Sequence, residues 1–254
     1  MHSGCSETLS HPLVIMVVFT QIVSERGTMS TTPSTHLYTL LDRSGSMDNI
    51  VNDVIGGFNN FIKQQKAEGT DIRVTLVQFD TADPQDVVAS GMPIDELVPL
   101  TTETYSPRGG TPLLDATGQL IARAKLNQEV RASNNLPEED IIFVTITDGE
   151  ENSSSQFNLV QIRDLIAECE AKGWTFVFLS AALDAYGDAS RMGMKTGNIQ
   201  SFDASGDGTA MAFTSLSMNV AQKRKMKRAG LDTSDIDFFE TKIAEEDRNR
   251  KNDN

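Results

Sequence analysis

Apolar positions along the chain switch between two periods. Four short, nearly unbroken apolar runs read as strands: "HLYTLLD" (His36 to Asp42), "DIRVTLVQFD" (Asp71 to Asp80), "IIFVTITD" (Ile141 to Asp148) and "WTFVFLSA" (Trp174 to Ala181). The third is rich in β-branched residues and has no polar alternation, as expected of a strand covered on both faces. Between the runs, apolar residues recur at helical spacing. Ile50, Val51, Val54, Ile55, Phe58, Phe61 and Ile62 mark one helix, with Gly69 as its stop. "TPLLDATGQLIARAKLNQEV" predicts a second, opened by Pro112, and "NLVQIRDLIAECEAKG" a third. "DVVASGMPIDELVPL" predicts a short edge strand and a loop. "DAYGDASRMG" predicts a short helix, "NIQSFD" a last short strand and "TAMAFTSLSMNVAQKRKMKR" a closing helix. There is no internal repeat.

Strands separated by helical crossovers imply an α/β fold: a doubly wound, mostly parallel sheet of about six strands with helices on both faces. In such sheets, ligands bind beyond the carboxyl ends of the strands. The expected organisation is one domain over 35–228, an N-terminal extension over 1–34 and a polar C-terminal tail over 229–254. That tail has one apolar cluster (Ile236, Phe238, Phe239), and its last dozen or so residues are expected to be solvated. "KRKMKR" is read as the wet end of the closing helix, its cations facing the negative end of the helix dipole.

Charge and cysteine narrow the field. The 254 residues carry a net charge of −14, which disfavours nucleic acid and anionic lipid as partners. Two cysteines, Cys5 and Cys169, make no disulfide framework; Cys169 reads as a buried helical residue, and the whole fits a reducing, cytoplasmic setting. The run "LVIMVVFTQIV" is shorter than the roughly 20 apolar residues that span a bilayer. The stretch before it lacks Lys and Arg, so it does not read as a signal peptide. Met29 offers a second start just before the first strand, so residues 1–28 are expected to lie outside the fold; a docked extra strand is the alternative.

Chemistry concentrates at the strand ends. "DRSGSM" places Asp42, Ser44 and Ser46 at the tip of the first strand, with Gly45 permitting a sharp turn. Thr111 lies in "SPRGGTPLLDA" before a helix, and Asp148 ends the central run in "VTITDGEEN". Singly, each has an ordinary explanation. Asp42 and the serines suit turns and helix caps, Thr111-Pro112 suits a cap followed by a first-position proline, and "TDG" suits a turn. Jointly they set five oxygen-bearing side chains at neighbouring strand ends, with no thiol or imidazole. That set suits Mg²⁺, Mn²⁺ or Ca²⁺ rather than zinc or copper. "FDASGDGTAM" imitates a calcium loop at Asp203, Ser205 and Asp207, but Thr214 stands where a bidentate Glu is wanted; a turn with a helix cap is expected there. Glu150, Glu151 and Asp184 read as solvated loop acids at the rim.

"DRSGSM", the threonine of "GGTP" and "TDGEEN" resemble the metal-ion-dependent adhesion site of von Willebrand factor A domains, and the resemblance runs from about Thr35 to Val220. "GWTFVFLSAALDAYGDASRMG" is further similar to stand-alone bacterial and phage members, including those encoded near tellurium-resistance genes. The resemblance implies Ser44, Ser46 and Thr111 as direct metal ligands, with Asp42 and Asp148 holding the ion directly or through water. It also implies a function: a bound Mg²⁺ that recruits an Asp or Glu carboxylate from a partner protein. An adaptor subunit of an ATPase or stress-response complex would use the same site. A metal-assisted hydrolase or phosphotransferase is the competing class. Against it, Ser44 occupies the place where phosphoaspartyl enzymes carry a second carboxylate, and all three histidines (His2, His11, His36) precede or begin the first strand. The chain is therefore read as not an enzyme.

Overall fold

The computed structural model describes residues 34–239. The first strand, β1 (Ser34–Asp42), sits in the interior of a six-stranded sheet and pairs in parallel with a neighbour on each side. On one side is β2 (Ile72–Phe79), itself flanked by the antiparallel edge strand β3 (Asp86–Pro93). On the other lie β4 (Glu139–Thr147), β5 (Thr175–Ser180) and β6 (Ile199–Ser201), all parallel. The order β3-β2-β1-β4-β5-β6 makes the chain wind outward in opposite directions from β1. The reversal falls between β1 and β4, and it opens a crevice at their carboxyl ends. This is the α/β class expected from the sequence: six strands, all parallel but β3, with helices on both faces.

Two cores cover the two faces. On one face, α1 (Val51–Glu68) and α5 (Gly206–Arg228) bring Val54, Phe58, Phe61, Phe213, Leu216 and Val220 onto Leu37, Leu76, Val144 and Val177. Gly57 lets the Phe213 ring lie against α1; a Cβ there would collide with it. On the other face, α2 (Leu113–Ser133) and α3 (Leu159–Glu170), with the short α4 (Ala185–Arg191), bury Leu120, Ile121, Ile162 and Ile166 against Tyr38, Leu40, Phe143 and Phe176. Each large apolar side chain so buried stabilises the fold by about 1.5–3 kcal/mol. Cys169 is buried and unpaired in the second core, and no helix among the described residues is long and apolar enough to cross a membrane.

The basic run of α5 departs from its expected role as a wet helix end. Arg224 is 0 % exposed at its side chain and donates to Gln65 O at 3.0 Å, Gly69 O at 2.8 Å and Asp71 Oδ1 at 2.6 Å. Arg228 also meets Asp71, at 3.1 Å, and Lys225 meets Glu68 at 3.0 Å. The reason is local. The last carbonyls of α1 lack intrahelical donors, and the guanidinium of Arg224 supplies them while closing a charge pair. The segment just past α5 is mostly exposed, but Thr233, Phe238 and Phe239 are buried: Phe238 N donates to Asn198 Oδ1 at 3.1 Å and Phe239 N to Gly197 O at 2.9 Å. The remainder of that segment, the run "LVIMVVFTQIV", Cys5 and the question of a docked extra strand lie outside the described residues.

Candidate metal centre

Asp42 ends β1 with its side chain fully buried. Its Oδ1 accepts from Ser44 N at 2.7 Å, and its Oδ2 from Thr147 Oγ1 at 2.5 Å. The chain then turns over a second loop. Arg43 N donates to Phe79 O at 2.9 Å, Arg108 N to Arg43 O at 2.8 Å and Gly45 N to Gly109 O at 3.0 Å. Gly109 adopts φ +67, where a glycine is favoured, and this brings the 108–111 segment alongside the motif. Tyr105 Oη donates to Asp42 O at 2.7 Å from beneath. Strand alternation points Arg43 away from its neighbours Asp42 and Ser44. Its guanidinium is buried against Asp80 at 2.8 Å, Gln78 at 3.0 Å and Asp86 at 2.5 Å.

The oxygens converge. Ser46 Oγ lies 3.1 Å from Ser44 Oγ and donates to Asp148 Oδ1 at 2.6 Å. Gly149 marks where the remaining ones meet. A Cβ on it would lie 3.1 Å from Thr111 Oγ1, 3.4 Å from Ser46 Oγ and 3.9 Å from Asp42 Oδ2. All five residues singled out in the sequence (Asp42, Ser44, Ser46, Thr111, Asp148) therefore gather around one point, which the missing side chain of Gly149 leaves open. The ordinary explanations fare unequally. Thr111 does not cap α2, whose N-cap position is Pro112 with no side-chain cap, and Ser44 does not cap the turn over Gly45–Ile50. Asp42 does serve its turn through Oδ1.

The electrostatics fit a cation. Burial pushes the Asp42 carboxyl up to about 6, against the hydrogen bonds from Thr147 and Ser44, with Asp148 adding repulsion. Burial also raises Asp148, against the hydrogen bond from Ser46. Two acids beside three hydroxyls, with no cationic side chain bonded to them among the described residues, form a cluster that a hard dication would neutralise. Among the described residues, no group of three or more His, Cys, Asp and Glu is placed to hold a metal, so a site here depends on hydroxyl donors. His36 is buried at the opposite end of β1, 2.9 Å from Thr75 Oγ1 and 3.4 Å from Glu139, far from the cluster. His2 and His11 lie outside the described residues.

Sequence reasoning missed Thr147, Gly149 and Asn152. Thr147 reaches Asp42 only because β1 and β4 are adjacent, which no local pattern announces. Asn152 holds the Thr111 loop through two bonds: Thr111 N to its Oδ1 at 2.8 Å, and its own N to Thr111 O at 3.1 Å. Glu151 is not the solvated acid expected; it accepts from Leu114 N at 2.8 Å. Asp184 caps α4, accepting from Gly187 N at 3.1 Å. The calcium-like stretch resolves as the expected helix cap, Ser205 Oγ accepting from Gly208 N at 3.2 Å.

No protein-family model and no curated protein matches the sequence. Solved structures do match the fold. One is the pilus adhesin SpaC of Lactobacillus rhamnosus GG in its open conformation, at 13% identity and TM-score 0.55, covering 76% of this chain and 30% of that one. Another is proximal thread matrix protein 1 of the mussel byssus with a zinc-occupied MIDAS motif, at 13% identity and TM-score 0.51, covering 75% and 46%. The chain thus spans less than half the length of each. At these identities the likeness shows the fold, a doubly wound α/β sheet, and the fold alone.

Proposed function

We propose that this chain is a divalent-metal-dependent protein-binding module rather than an enzyme, working in the cytoplasm. The observation that carries this reading is the open point beside Gly149, ringed by the oxygens of Thr111, Ser46 and Asp42. Ser44, Ser46 and Thr111 would hold a Mg²⁺ or Mn²⁺ ion through neutral hydroxyls, with Asp42 and Asp148 balancing its charge. When bound, the ion supplies an electrophilic position that an Asp or Glu of a partner protein can occupy. The chain's own residues do the rest: Thr147 and Ser44 N orient the Asp42 carboxylate, and Ser46 orients Asp148. The −14 net charge weighs against an acidic partner at long range, but a bound dication dominates the field locally. The likeness to a mussel byssus protein with a zinc-occupied MIDAS motif supports the reading by analogy of fold. Binding rather than turnover is favoured because the one described histidine is buried at the far end of the sheet.

The test is titration calorimetry with Mg²⁺ and Mn²⁺ on the full chain. Asp42→Ala and Ser44→Ala are expected to abolish binding while leaving the circular dichroism spectrum unchanged. Undiminished binding in both variants would refute the assignment.

A further inference from the structure

Two of the ring's oxygens come from loops far apart in sequence: Thr111 precedes α2, and Asp148 opens the segment between β4 and α3. A pair of carboxylates outside the ring binds these loops to each other. Asp115, 3 % exposed on the first turn of α2, reaches across; its Oδ2 accepts from Ser155 N at 2.8 Å and its Oδ1 from Gln156 N and Phe157 N at 2.9 and 2.8 Å. Glu151 reaches back. Its Oε2 accepts from Leu114 N at 2.8 Å, and its Oε1 from the backbone of Ser153 and Ser154 at 2.8 and 2.7 Å. Ser154 Oγ joins the two, donating to Glu151 Oε2 at 2.6 Å and accepting from Asp115 N at 3.0 Å.

The exchange answers a defect in α2. Its N-cap position is a proline, which has no side-chain oxygen to offer the first amides of the helix. The 149–157 loop supplies those acceptors, including a negative charge at the positive end of the helix dipole. In return, α2 satisfies three loop amides that would otherwise lack partners.

We propose that Asp115 and Glu151 are positioning residues of the oxygen ring, a reciprocal latch that makes Thr111 and Asp148 move as one unit. This rests on the reading of the ring as a metal site. Asparagine or glutamine in their places keeps the shape but turns an amide N–H toward a backbone N–H on one side. Residues that orient metal ligands from outside typically govern affinity by about 10–100-fold.

The experiment combines Mn²⁺ titration calorimetry with amide hydrogen exchange on the metal-free full chain, for Asp115→Asn, Glu151→Gln and the double variant. Each single variant is expected to weaken Mn²⁺ binding about tenfold or more. The double variant is expected to lose about as much affinity as the more damaging single variant, not the product of the two losses. In Asp115→Asn, exchange is expected to quicken at Leu114, Ser153 and Ser154, which Glu151 holds, as well as at 155–157. Should a carboxamide variant fail to fold, Ser154→Ala removes only the joining hydroxyl and is expected to weaken binding severalfold. Unchanged affinity with a lowered melting temperature would overturn the latch, as would faster exchange confined to 155–157. If the unaltered chain binds no Mn²⁺, the metal reading fails, and the exchange pattern still decides whether the two loops open together.

Discussion

The two ends of the sheet each bury a carboxylate, and they treat it in opposite ways. At the amino end, Glu139 is 1 % exposed at its side chain and surrounded by Arg73 at 2.5 Å, Arg131 at 3.2 Å and His36 at 3.4 Å. Although burial works against it, the bonds from His36 and Arg73 hold its carboxyl down at about 2. At the carboxyl end, Asp42 is equally buried, meets only hydroxyl and amide donors among the described residues, and is pushed up to about 6. One end is electrically closed. The other is left short of positive charge, and that is where the oxygens converge. Burial alone therefore says little about a carboxylate's role; the identity of its donors separates a structural anchor from a binding group.

The contrast can be broken most forcefully at its closed end. Glu139→Ala leaves two arginines facing each other in a poorly solvated site and is expected to cost about 3–5 kcal/mol in denaturant unfolding. A cost under 1 kcal/mol would mean that the amino end is not closed after all. Next in size is pH. Asp42 binds its proton more tightly folded than unfolded, so its contribution falls as pH rises from about 4 through about 6, by up to roughly 3 kcal/mol at full burial. Glu139 runs the other way: its contribution is present above its ordinary range and is lost as pH falls toward about 2. From these two groups, the metal-free chain is most stable on the acid side of neutrality. Saturating Mg²⁺ is expected to move that optimum toward pH 7, read by melting temperature against pH. A metal-free optimum unmoved by Mg²⁺ would count against the cation.

Smaller effects sharpen the open end. Gly149→Ala puts a methyl where the oxygens meet and is expected to weaken Mn²⁺ binding at least tenfold, with little change in melting temperature. Asp42→Asn removes a charge that burial already penalises, so metal-free stability at pH 7 is expected to rise rather than fall, and its pH dependence between about 4 and 6 to flatten.

The strands and helices were legible because their apolar periods are local. The antiparallel edge strand and the short β6 also showed in the sequence. The five oxygen-bearing residues were legible because each sits beside a strand end or a helix start. What escaped was set by tertiary neighbours. Thr147 meets Asp42 through strand adjacency, and Arg224 is drawn inward by the carbonyls at the end of α1. Glu151 looked solvated because nothing nearby in sequence shows that α2 begins without a capping side chain.

Arg43 lies between two oxygen donors in sequence yet spends its charge on Asp80, just past the carboxyl end of β2, and on Asp86, the first residue of β3. The outermost hairpin of the sheet is thereby a foundation for the first strand's tip rather than an appendage. Shortening the turn between β2 and β3, or transplanting the "DRSGSM" motif into another sheet without it, would strand a guanidinium in the interior and tilt the very residues the transplant was meant to carry.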